Sequence, residues 1–175
     1  MYIAWYITSK NNVKDMVYQI NEEISSGVSS RIINLFNGTE KTLLTLHDLF
    51  QNNIIDLSDK KEREEIFLSF LKNNPNFSWI VFGWPHGDFL GAQRELNDEQ
   101  EFLNIINRNW DKEKSSLTKT ITMFSEDLKS SNNRIIINDS YNILNRTWYK
   151  VGSGTRGLGW TPVYLFSTTK QPGIN

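Results

Sequence analysis

The sequence predicts an α+β domain, with helices first and an antiparallel sheet after them. Two observations carry this. Up to about Leu71, apolar residues recur at three- and four-residue spacing, the period of a helix face. Beyond Asn73-Asn-Pro75-Asn the chain changes to short apolar runs separated by turn residues, the pattern of strands and hairpins. Helices followed by a run of short strands make a two-layer α+β arrangement with five to six strands.

The composition narrows the function classes. With 175 residues, 38% hydrophobic and 13% aromatic, the chain has material for one real core and is not globally disordered. Its 19 basic and 20 acidic residues leave a net charge of −1, so no bulk attraction draws it to nucleic acid. Cysteine is absent, which removes disulfides, thiol catalysis and cysteine zinc sites. Only His47 and His86 are present, which excludes a histidine-rich metal centre. We therefore expect no metal and no cofactor.

The first seven residues, Met1-Tyr-Ile-Ala-Trp-Tyr-Ile7, are apolar but far short of the roughly 20 that span a bilayer. They read either as the outer end of a membrane helix or as the first turn of a soluble one. From Asn11 to Phe36 the positions Val13, Met16, Val17, Ile20, Ile24, Val28, Ile32 and Leu35 trace one long amphipathic helix. Gly27 and its neighbouring serines weaken its middle. Such length favours a stalk or dimer seam, so residues 1–36 are expected to form a dimerisation helix and 37–175 the folded module. Asn37-Gly38 reads as a break. A second helix is then expected through Leu43, Leu44, Leu46, Leu49 and Phe50, and a third to Leu71 with Ser58 as N-cap.

Phe77–Phe82 reads as a buried strand, Gly83–Gly87 as a turn, and Asp88–Ala92 as the return strand of a hairpin. Phe102–Trp110 and Ser116–Phe124 are further strands. Asp127–Asn133 reads as a polar loop before the apolar run Ile135–Ile137. Arg146 to Val151 is a short helix, Gly152–Gly157 a loop and Trp160–Thr168 a last strand.

The chemistry concentrates between Tyr141 and Tyr164. Arg146, Trp148, Trp160 and three tyrosines fall there, Tyr141, Tyr149 and Tyr164. A guanidinium offers a permanently charged donor fork that matches a carboxylate, and aromatic rings beside it exclude water and supply hydroxyl donors. Nothing in this group is an obvious nucleophile, so it points to binding and not to turnover; no catalytic residue is expected. Trp160 reads equally well as a core aromatic. Gly152–Gly157 lacks the lysine of a phosphate loop. His86 and Asp88 sit in a hairpin turn, Lys60–Glu65 reads as a solvated helix face, and Glu95, Asp98, Glu99 and Glu101 lack the ligand order of a calcium loop.

The order of these pieces resembles the extracellular double-Cache sensor family, whose modules have a PAS-like fold. Three segments carry the likeness. One is the hairpin Phe77-Ser-Trp79 to Gly91. Another is Tyr141, four residues, Arg146, one residue, then Trp148-Tyr149. The third is Trp160-Thr-Pro162-Val-Tyr164. The resemblance implies that residues 37–175 form a membrane-distal PAS-like Cache module, with a second module and an output domain elsewhere in the parent protein. Typical outputs are a histidine kinase, a nucleotide or diguanylate cyclase, or a chemotaxis bundle. It implies a membrane-anchored receptor with this segment periplasmic or extracellular, dimerised through the N-terminal helix.

It also implies that Arg146 and Trp148 engage a ligand carboxylate while Tyr141, Tyr149 and Tyr164 line the pocket. Amino-acid-binding members carry an acid two positions after the tyrosine of the closing strand, where this chain has Phe166. A phenyl ring cannot neutralise an ammonium, so a small carboxylate, another small anion or an uncharged molecule fits better. The alternative is a ligand-free dimerising spacer, whose pocket would be filled by Leu165 or Phe166.

Overall fold

The computed structural model describes residues 2–97, 100–111, 116–125, 127–167 and 170–175. In chain order the elements are α1 (Tyr2–Gln51), α2 (Lys60–Asn73), β1 (Trp79–Gly83), β2 (Phe89–Asn97), β3 (Gln100–Asp111), β4 (Ser116–Phe124) and β5 (Ser130–Ile136). A 3-10 turn (Ile143–Asn145), α3 (Thr147–Gly154), β6 (Tyr164–Leu165) and β7 (Pro172–Gly173) complete the chain. The α+β class holds: a long N-terminal helix, two further helices and an antiparallel five-stranded sheet.

Two compact units are present, residues 1–48 and 49–175. The first is almost all of α1. This helix runs through Asn37 and Gly38, so the expected break and the separate second helix are both corrected to one continuous element. A single internal glycine costs about 1 kcal/mol, and no proline is present to stop the helix. Thr39, Thr42 and Thr45 each return a hydroxyl bond to the carbonyl four residues back, which holds the threonines within the helical turn. Val13, Met16, Val17, Ile20, Ile24 and Val28 are all exposed along it. Among the described residues, no helix is long and apolar enough to cross a membrane.

The end of α1 opens the second unit. Asn53 adopts φ +52°, its N–H bonds Phe50 O, and the next N–H, of Ile54, bonds Leu49 O. That double bond around a left-handed residue is a Schellman stop. α2 is capped by Asp59, whose carboxylate accepts from Lys61 N (2.8 Å) and Glu62 N (3.0 Å). The expected cap, Ser58, instead donates through its N–H and hydroxyl to Asp56. Those bonds hold the Asp56 carboxyl below its usual range.

The sheet is a meander in the order β1-β2-β3-β4-β5, every neighbour antiparallel. Strand β5 begins at Ser130, so most of the expected polar loop is an edge strand. Asn132 and Asn133 pair with Met123 and Thr122, which shows ladder bonding overriding a polar composition. The expected last strand is only Tyr164–Leu165, paired with Pro172–Gly173; Thr168 lies outside the described residues.

Alternation along the strands separates two faces. On one, Ile80, Leu90, Ala92, Leu103 and Ile105 are buried, and α2 brings Phe67, Leu68 and Leu71 to the same core. Each leucine, isoleucine or phenylalanine among them contributes about 1.5–3 kcal/mol by leaving water. Asn107 reaches from this face to Glu64 on α2 (2.6 Å). The other face carries Trp79, Val81, Phe89, Ile106, Arg108 and Ile121. Phe89, Ile106 and Ile143 form a second buried cluster there, with Tyr141, Trp148 and Tyr149 packed around it.

Candidate functional site

The second face of the sheet is roofed by the segment after β5. Asn138, at φ +59°, turns the chain, and the N–H of Asp139 bonds Leu117 O at 2.9 Å. Asn142 caps the 3-10 turn by accepting from Leu144 N, which seats Ile143 on Phe89 and Ile106. Arg146 is the N-cap residue of α3, extended at φ −82° and ψ 145°, so Trp148 and Tyr149 follow in the first helical turn. Gly83 makes this approach possible. A Cβ there would lie 2.9–3.0 Å from Ile143, Trp148 and Tyr149.

Between roof and sheet lies a cavity of about 40 Å³. Trp79, Val81 and Phe89 form its apolar floor, and Tyr141, Arg146 and Trp148 stand along one side. Tyr164, Phe166, Ser167 and Asn175, from the last β-pair and the residue closing the chain here, stand along another. Four of the five residues expected from the sequence therefore meet in one place. Tyr149 is outside the lining: it packs edge-on against Trp148, ring centres 5.7 Å apart, beneath Gly83.

The polar groups are ordered around Tyr141. Trp148 Nε1 donates to the Tyr141 hydroxyl at 3.3 Å, leaving the phenol's own hydrogen for another acceptor. The Arg146 guanidinium lies 4.8 Å from the centre of the Tyr141 ring. Among the described residues it has neither a carboxylate partner nor a side-chain hydrogen bond. The Tyr164 hydroxyl donates to Asn175 Oδ1, and Asn175 is held in turn by Thr161 through two backbone-anchored bonds of 2.8 and 2.9 Å. Burial, with Tyr141 nearby, raises the Tyr164 phenol above its usual range, while Arg146 opposes that shift. It stays a neutral donor at physiological pH.

A residue not expected from the sequence completes the site. Arg108 of β3 is 6% exposed, its Nε donates to Asp139 Oδ2 at 2.6 Å, and it stacks 4.1 Å from the Tyr141 ring centre. Tyr141 thus has a guanidinium on each of two approaches. The signal for Arg108 was the strand Phe102–Trp110 itself. Had its alternation been phased against the hairpin, Arg108 would fall beside Phe89, its register partner. The adjacent apolar pair Ile105-Ile106 hides that phase.

The remaining motifs do other work. His86 Nε2 contacts Asp88 Oδ2 at 3.0 Å, and Asp88 Oδ1 accepts from Trp110 N at 2.8 Å, so the pair ties the hairpin turn to β3. They border a second cavity of about 380 Å³, with Arg63 and Trp84. Arg63 is tied there by a 2.7 Å bond to Leu57 O. Glu95 accepts from Asn104 and Glu101 pairs with Arg94; Asp98 and Glu99 lie outside the described residues. Gly152 and Gly154 close the last turn of α3. Among the described residues, no three His, Asp or Glu side chains converge to hold a metal.

No protein-family model, curated protein or solved structure matches this chain. The site therefore has to be read from its own chemistry. Among the described lining residues no nucleophile is paired with a base, and the polar groups are two guanidiniums, two phenols, the Ser167 hydroxyl and Asn175. Such a set suits capture of an anion.

Proposed function

We propose that this chain is the periplasmic or extracellular sensing segment of a membrane receptor, similar to a double-Cache module, and that it binds a small carboxylate in the aromatic cavity. The observation that carries the reading is Arg146: a half-buried guanidinium with no carboxylate side chain paired to it among the described residues, beside a cavity walled by Tyr141, Trp148 and Tyr164. A cation drawn out of water and left uncompensated is costly unless something negative visits it. A ligand acts by binding one of two states more tightly, so its output depends on differential affinity. The exposed apolar positions of α1, Val13 to Val28, support a homodimer seam. Sedimentation that finds only monomer at about 10–100 μM, the range of weak association, argues against that seam.

The test is thermal unfolding of the purified chain against a panel of small carboxylates. The expected outcome is a rise in Tm with at least one of them, abolished in Arg146→Ala. An unchanged response in Arg146→Ala removes this pocket as the site.

A second reading, a spacer with no ligand, is favoured by one observation. Phe166 is turned toward the cavity and packs 5.2 Å from the Tyr164 ring centre, so part of the space is filled from within. Leu165, the other candidate filler, is 63% exposed. Absence of any ligand-induced shift across the panel supports the spacer.

A further inference from the structure

The two guanidiniums of the cavity differ in charge balance. Arg108 is closed by Asp139, which sits on it at 2.6 Å with its own side chain 18% exposed. Arg146 has no such partner among the described residues. A guanidinium already joined to a carboxylate presents little net charge to a ligand, whereas an uncompensated one acts as a full unit charge in poorly hydrated surroundings. The rest of the described lining is apolar (Trp79, Val81, Phe89, Phe166) or carries a neutral polar side chain (Ser167, Asn175), with no acidic side chain to meet an ammonium. A cavity of about 40 Å³ takes about three waters at ~10–15 Å³ each. That is the bulk of a carboxylate with a short tail.

We infer that Asp139 sets the charge class of the ligand: by pairing with Arg108 it leaves Arg146 as the uncompensated guanidinium of the described lining, and makes the cavity selective for short monocarboxylates over dicarboxylates and amino acids. This rests on the carboxylate reading above and narrows it. The carboxylate meets Arg146 and the Tyr141 hydroxyl, and the tail lies on Trp79, Val81 and Phe89. A dicarboxylate would have to set its second charge on that apolar floor, or compete with Asp139 for Arg108. An amino acid would bury its ammonium among phenyl and indole rings, with no acidic side chain of the described lining to meet it. Asp139 lies outside the lining and acts through Arg108, so it is a positioning residue.

The experiment is calorimetric titration of the purified chain at constant ionic strength with acetate, propionate, succinate and alanine, with chloride as the control. Acetate or propionate should bind at least about tenfold more tightly than succinate or alanine. Asp139→Asn frees Arg108 and should shift the propionate-to-succinate ratio toward succinate by roughly tenfold, a change that loss of structure alone does not produce. Asp139→Glu keeps the charge and should keep the ratio. A wild-type preference for succinate, with binding lost in Arg146→Ala, overturns the inference while leaving the carboxylate pocket standing. An Asp139→Asn protein that folds and keeps the wild-type ratio overturns it as well. No binding of any of the four refutes the carboxylate reading and the inference together. The wild-type ratio decides the matter even where a variant does not fold.

Discussion

The two faces of the sheet are built from the same strands and serve opposite ends. Toward α2, Leu90, Ala92 and Ile105 are wholly buried and meet Phe67 and Leu71 in an apolar seal. On the other side, one residue along each strand, stand Phe89, Gly91 and Arg108, roofed by Tyr141 and Trp148 with a cavity between. The first face is what folds the unit. The second gives up dense aliphatic packing for rings, guanidiniums and empty space, and a sheet tolerates that only when its other side is closed. The sealed face and the face proposed for recognition are separated here by the two-residue period of a strand.

This contrast can be broken from either side, and the largest effect belongs to the sealed face. Leu90→Ala removes a side chain with no solvent exposure, and should cost about 3 kcal/mol in urea unfolding, within the usual range for such truncations. Ligand affinity in the fraction that stays folded should hardly move. An equal loss of affinity would mean that the faces are coupled.

Gly83 lies on the cavity-side face, directly under the roof. In Gly83→Ala the new methyl group would meet Trp148 and Tyr149 at 3.0 Å, at a cost of about 1–3 kcal/mol. Because those rings roof the cavity, ligand affinity should fall along with stability. Calorimetry alongside denaturation checks this, and retained affinity would show that the roof can shift freely.

The smallest effect concerns Lys119, the register partner of Arg108 on the cavity face. Burial first, and then the nearby Arg108 and Arg134, push its ammonium below the usual 10.5, with Asp139 partly offsetting them. A lysine whose folded pKa is lowered opposes folding while it is charged. Lys119→Met should therefore stabilise the fold at neutral pH, by less than about 1 kcal/mol because the group is half-exposed and screened. That gain should be constant at lower pH and shrink as pH rises from the folded pKa toward 10.5, where the unfolded chain also loses the proton. A gain that grows with pH would contradict the assigned cause.

Much of this was legible from local pattern. The α2 stop at Asn73-Asn-Pro75, the hairpin around Gly83–Gly87 and the span Ser116–Phe124 follow from turn residues and period alone. The aromatic cluster was legible too, since Tyr141, Arg146 and Trp148 are brought together by one 3-10 turn and one helix start. Local signals failed where packing or ladder bonding competed with composition. Gly38 suggested a break that the helix ignores, and Ser130–Asn133 looked too polar for the strand it enters.

From residue order alone come helices before strands, an amphipathic α1, and a cation set among indoles and phenols without catalytic company. Those are short-range properties, expressed within a few residues of chain. Which guanidinium stays without a carboxylate side chain among the described residues was decided only by folding. Arg108 and Asp139 lie 31 residues apart and meet because the β3–β4 register and the turn at Asn138 bring them to one spot. Such pairing depends on strand register, which no local spacing encodes.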